Sequence, residues 1–182
     1  FGLFFWAMGK GGYFKGEKPR ISVFKELFSI KDFWLMIVLF SMAIAGSLGT
    51  FTMLPLYLTT QRGMGQGWAN TLIGLSRISG IFMAFFSGWI TDRLGAKSTM
   101  KYILIITGIL TIMLGVIPDP LVVLIVFLQP MAAVSFFPAG FAAISGIAST
   151  KIRNITVSLT IPPAFVIGSG IVPAIIGFMG DM

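Results

Sequence analysis

The stretch Gly88-Trp-Ile-Thr-Asp92-Arg93-Leu-Gly95-Ala-Lys97 sets three charged side chains tightly between two long apolar runs. The run before it covers about residues 69 to 90, and the run after it about residues 100 to 117. At a rise of about 1.5 Å per residue, each is long enough to cross a hydrocarbon core of roughly 30 Å as a helix. The segment reads as a short charged turn between two membrane-spanning helices, and the rest of the chain can be oriented from it.

Composition agrees. Of 182 residues, 56% are hydrophobic and 10% charged, whereas a soluble domain carries about 25% charged residues. No soluble core needs so much apolar surface, so lipid is the expected solvent for most of the chain. The net charge of +7 is explained by position: six of the 13 Lys and Arg lie between Lys10 and Lys31, three follow Asp92, and two are Lys151 and Arg153. These clusters fall in alternate gaps between apolar runs, as the positive-inside rule requires, and call for no nucleic-acid partner. There is no cysteine and no histidine, which excludes disulfides, thiol catalysis and histidine relays. No lysine lies deep in a span, so an intramembrane Ser–Lys dyad is excluded too. No enzyme activity, cofactor or metal is expected.

The chain opens on Phe1 inside an apolar stretch without a basic leader. Residues 1–9 are therefore expected to be the end of a helix that starts earlier, rather than a signal peptide. Residues 10–32 form a basic, glycine-bearing linker. Within it, Ile21, Phe24, Leu27 and Phe28 share one third of the helical circle and Ser22, Lys25, Glu26 and Ser29 lie opposite. That pattern predicts a short helix in the membrane interface. Five spans are expected at about 33–58, 69–90, 100–117, 121–149 and 155–178. Basic density places the linker, the opening turn and Lys151–Arg153 on the cytoplasmic side of a cell membrane. Residues 61–67, 118–120 and the C-terminal end lie outside.

The opening segment resembles the cytoplasmic turn between the second and third helices of each six-helix half in the major facilitator superfamily, which reads G-x-x-x-D-R-x-G-R-K or close to it. Gly88, Asp92, Arg93, Gly95 and Lys97 fall on that pattern in register, and Ala96 replaces the first basic residue of its closing pair. The resemblance implies an all-α integral membrane bundle that works as a secondary transporter by alternating access. The long basic linker and the Gly168-x-Gly170-x-x-Pro173 pattern resemble the C-terminal half. This implies the end of helix 6 in residues 1–9, the linker in 10–32, and helices 7–11 in 33–182, with an N-terminal six-helix bundle as partner. It also implies a conformational gating role for Gly88, Asp92, Arg93, Gly95 and Lys97. Asp92 would pair with basic residues of its own turn or with a helix N-terminus such as that near Asn154. The competing reading is a receptor or assembly protein that keeps the fold without transport.

Arg77 is the one charge deep inside a span. An arginine at a helix centre costs about 2.5–3.5 kcal/mol on insertion scales, so such residues face a cavity or a partner. On the helical wheel Gly74, Arg77, Ile81, Ala84 and Gly88 share about 80° of arc, opposite the bulky Leu75, Ile78, Phe82, Phe85, Phe86 and Trp89. The small-residue face is expected to point inward. Arg77 lies roughly 13 Å below the outer end of its helix, and Gln129, Thr50, Thr52 and Ser169 reach similar depths. These residues, with Tyr57 nearer the outer mouth, are the candidate substrate-binding set. An inward arginine without an acidic neighbour suggests a small-molecule solute carrying an organic or inorganic anion. A structural arginine paired with an acid of the other half is the alternative.

Overall fold

The computed structural model of the chain describes residues 21–147 and 153–180. The expected helix end in residues 1–9, most of the basic linker, and Lys151 lie outside the described residues. Helix α1 (Ile21–Phe28) precedes five helices long and apolar enough to cross a membrane: α2 (Lys31–Thr60), α3 (Gln66–Leu94), α4 (Ala96–Val116), α5 (Asp119–Ile147) and α6 (Arg153–Met179). Each lies where hydropathy places it, longer than its apolar run by a few residues at most ends. The extra turns are polar ends that can continue the helix into the headgroup region.

Helices α2 and α5 form the centre of the bundle. In each, 44% of the most apolar window is buried, against 22% in α3, α4 and α6. One layer of the core joins Phe40 and Ile44 of α2, Ile103 of α4, Phe136 and Ile144 of α5 and Ala164 of α6. The other joins Leu58 of α2, Leu72 of α3, Leu114 of α4 and Val126 of α5. The Phe40 and Phe136 rings meet edge to face at 5.2 Å, and Gly140 makes room for both, since a Cβ there would lie 2.8 Å from Phe40. Large apolar side chains such as Ile109, Ile112 and Val116 remain exposed on the outside, as a lipid-facing surface requires.

In α5 the interruption precedes a proline, which lacks an amide donor. Pro138 cannot donate to the carbonyl of Val134, and α5 breaks at Ser135 between its two helical pieces. In α2 and α6 the interruptions are π-helical segments, Ala45–Gly49 and Val166–Ile171. The two pack on each other. Gly168 is the point of closest approach: a Cβ there would stand 2.5 Å from the Ser41 carbonyl oxygen and 2.8 Å from Ile44 Cβ.

Helix α1 is amphipathic as expected, but its apolar face is not given to lipid alone. Leu27 is fully buried with Phe33 and Ile37, against Ile155 and Leu159 of α6. The Trp34 indole N–H donates to the Phe28 carbonyl at 3.0 Å. The helix is therefore tied to the ends of α2 and α6.

Candidate functional site

The Arg77 guanidinium carbon lies 3.6 Å from the centre of the Phe51 ring. The stack uses one face of the cation and leaves its N–H groups unspent: Arg77 donates no hydrogen bond and pairs with no carboxylate among the described residues. On one side it closes a cavity of about 10 Å³ with Ser47, Thr50, Ser76 and Gln129, which is room for about one water molecule. On the other it borders an open groove of about 390 Å³ with Gly80, Ile81, Ala84, Phe85 and Pro130. Of the six residues expected at a binding site, the fold brings Arg77, Gln129 and Thr50 together.

Gln129 is almost wholly buried. Its Nε2 donates to the Gly46 carbonyl at 2.6 Å and to Thr111 Oγ1 at 3.3 Å. Gly46 belongs to the π-helical segment of α2, where the helical ladder departs from the α pattern. The amide is thus held by the backbone of α2 and joins α2, α4 and α5 at the level of Arg77. Its Oε1 makes no hydrogen bond among the described residues.

The other three candidates lie elsewhere. Thr52 is exposed, and its hydroxyl donates to the Gly49 carbonyl at 2.8 Å. Ser169 donates to Phe165 one turn earlier, also at 2.8 Å. Neither lines the cavity, because depth along a helix does not fix the direction of a side chain. Tyr57 is engaged near the end of α2: its hydroxyl donates to the Leu114 carbonyl and accepts from Arg62 Nε at 2.6 Å. Arg62 also donates to Leu114 at 2.8 Å and to Asp119 at 2.7 Å, so one guanidinium ties together the C-terminal ends of α2 and α4 and the start of α5. The Tyr57 hydroxyl first, and Asp119 second, hold the Arg62 guanidinium above its ordinary pKa. Asp119 is 70% exposed, so solvent screens the ion pair, and the hydroxyl and carbonyl bonds define the geometry. Nothing local in the sequence signals this clamp, whose charged partners lie 57 positions apart.

The small-residue face of α3 also needs correcting. The bundle buries Ala69, Leu72, Ile73, Ser76, Gly80, Ser87 and Thr91, a stripe centred roughly 80° from Arg77 at the helical period. Gly74 and Ile81 are exposed, and nothing stands within 4 Å of where a Cβ on Gly88 would be. The face bearing Arg77 is a flank of this bundle. The sequence pattern missed the true packing stripe because serine and threonine line it, and these hydroxyls donate to their own helix, as in Thr91 to Ser87 at 2.7 Å. Ser47, Ser76 and Phe51 are the site residues that sequence reasoning did not single out.

The turn at the other end of α3 is a single residue. Gly95 has φ 78° and ψ 149°, a region essentially confined to glycine. Its N–H donates to Thr91 at 2.9 Å, and its carbonyl accepts the Thr99 hydroxyl at 2.9 Å. Arg93 stacks over Trp89 at 4.3 Å. Asp92 and Lys97 are exposed, and Asp92 makes neither an ion pair nor a hydrogen bond among the described residues. The expected pairing of Asp92 with its own turn or with the helix start near Asn154 is not made there. Adjacent helical residues such as Asp92 and Arg93 do not face each other, and Lys97 belongs to the next helix.

The family model described as Major Facilitator Superfamily matches residues 3–173. Searches of curated proteins and of solved structures each found no match. The family match covers nearly all of the chain, and it meets a bundle of five apolar helices joined at the motif turn. The chain belongs to the Major Facilitator Superfamily, a family of membrane transporters.

Proposed function

We propose that the chain is the C-terminal half, helices 7 to 11, of a secondary transporter that moves a small anionic solute across the cell membrane by alternating access. Arg77 is the anion anchor. The observation that carries this reading is a cation deep in a span, stacked on Phe51 and left without a carboxylate partner among the described residues. Phe51 holds the guanidinium in place, and Thr50 and Gln129 border it. The cavity inside this bundle holds no more than a water, so the solute site lies on the open flank of α3 and is completed by the N-terminal bundle.

Gly88, Asp92, Arg93, Gly95 and Lys97 form the gating turn on the cytoplasmic side. Gly88 and Asp92 have no partner in the described bundle that would occupy them, which suits a contact made and broken with the opposing bundle. No Asp or Glu lies deep in a span of this chain, so coupling to protons through a carboxylate would use the other half.

The test is uptake into proteoliposomes by the intact protein, with organic carboxylates and inorganic anions offered separately. Arg77→Ala should abolish uptake, and Arg77→Lys should retain part of it by keeping the charge but losing the planar donor fork. Equal uptake by the wild type and Arg77→Ala would remove Arg77 from the site. No flux of any anion would end the transport reading in this form.

A further inference from the structure

Three polar side chains around the small cavity beside Arg77 hold hydrogen-bonding capacity that the protein leaves unused. Gln129 Nε2 is committed to the Gly46 carbonyl, and because a carbonyl only accepts, this bond fixes which end of the amide is nitrogen. Oε1 is the acceptor left over. Among the described residues, Thr107 Oγ1 is the only fully enclosed side-chain polar atom without a partner. Gln129 Oε1 and Ser47 Oγ also lack hydrogen bonds there, yet neither is enclosed, although both residues are almost wholly buried. Each therefore borders open space, and the cavity of about 10 Å³ is the space that both residues line with Arg77. Its walls are α2, α3 and α5 of this chain, and its size admits a water but no side chain from a further helix.

We infer that this cavity is the site of a single ordered water that bridges the Arg77 guanidinium to Gln129 Oε1, which makes Gln129 a positioning residue for Arg77. The chemistry of the walls selects water. Arg77 has only donors and Oε1 only accepts, so the occupant must accept on one side and donate on the other. A halide would face the lone pairs of Oε1, and a metal cation would face the guanidinium. Water suits both, and its second hydrogen has an acceptor in Ser47 Oγ or in Ser76 Oγ, whose own hydrogen goes to the Ile73 carbonyl at 2.8 Å. That gives three partners, the usual number for a buried water. The bridge ties the cation to an amide that is itself fixed on the backbone of α2, while Phe51 holds one guanidinium face. The effect on solute affinity rests on Arg77 as the anion anchor; the water itself does not.

The experiment pairs a density map of the intact protein, at a resolution that shows other buried waters, with uptake kinetics in proteoliposomes. The wild type should show a density peak within hydrogen-bond reach of both Arg77 and Gln129 Oε1. Ser47→Val puts a methyl group into the cavity and leaves Arg77 and Gln129 in place. It should lack the peak and raise the KM for the transported anion about three- to tenfold, with a smaller change in maximal rate, because the lost water's hydrogen bonds are not replaced. Ser47→Ala, which leaves the space, should keep the peak and a KM within about twofold of wild type. No peak in the wild type would overturn the water site. A wild-type KM in Ser47→Val protein that has lost the water, or an equal rise in both variants, would overturn the positioning role. Normal uptake by Arg77→Ala would remove the anchor reading and the KM effect with it, and the map would still decide the water.

Discussion

Arg77 of α3 and Phe51 of α2 form a cation–π pair at 3.6 Å that spans two helices. A guanidinium in this position is held against an aromatic face without being neutralised, so its N–H groups and its full charge remain for something else. Such pairs contribute about 0.5–1 kcal/mol at exposed sites and about 2 when desolvated. Phe51→Leu keeps the apolar bulk and removes the ring quadrupole. It is expected to raise the KM for the transported anion about three- to tenfold, with a smaller change in maximal rate, while Phe51→Tyr stays near wild type. Concentration-dependent uptake in proteoliposomes checks both.

Gln129 was legible as a deep polar residue, but its depth alone could not reveal its partner. Its Nε2 is committed to the Gly46 carbonyl, so its removal should act first on stability. Gln129→Met, similar in length and without a donor, removes that hydrogen bond and the one to Thr111. Hydrogen bonds of this kind inside membrane proteins are worth about 0.6–2 kcal/mol, and the variant should lose that much. Thermal unfolding in detergent measures it. A large rise in KM at unchanged stability would instead show that Gln129 touches the solute directly.

The crossing of α2 and α6 predicts a sharp contrast between two glycines. At Gly168 a methyl group would stand 2.5 Å from a backbone oxygen, and backbone cannot step aside as a side-chain tip can. Gly168→Ala should destabilise the protein by about 1–3 kcal/mol, the usual range for overpacking. Gly108, in the middle of α4, has nothing within 4 Å of an added Cβ. Gly108→Ala should be neutral or stabilise by up to about 1 kcal/mol, through the lower entropy of the unfolded chain. Melting temperatures of the two variants, measured side by side, decide the point.

These cases show what was readable from the chain. The number, order and ends of the spans follow from hydropathy and charge, because lipid requires every backbone group of a span to be satisfied internally. The turn at Gly88–Lys97 was legible because its residues sit at fixed spacings. Side-chain direction was much less so. Thr52, Ser169 and Tyr57 have the right depth but the wrong azimuth or a prior partner, and two π-helical segments shift the phase of α2 and α6 in a way no 100° wheel can anticipate. The buried stripe of α3 escaped because its hydroxyls satisfy themselves on their own helix and can pack like small apolar groups.

The turn at Gly88–Lys97 yields the last prediction, since two of its residues should fail in different ways. Gly95 holds a backbone conformation that costs any other residue about 1–3 kcal/mol, and it alone joins α3 to α4. Gly95→Ala should therefore lower thermal stability and transport together. Asp92 is exposed and has no ion pair or hydrogen bond in the described bundle, and surface changes of that kind stay within about 0.5 kcal/mol. Asp92→Asn should leave the melting temperature of the protein almost unchanged. If the carboxylate instead meets the opposing bundle during the transport cycle, the same variant should slow transport several-fold. It should also raise cytoplasmic labelling of a cysteine placed on the open flank of α3, for example Ala84→Cys, because the closed cytoplasmic state would lose a contact. Wild-type transport and labelling in Asp92→Asn would leave the turn a solvated connector, with Gly95 needed only for its backbone.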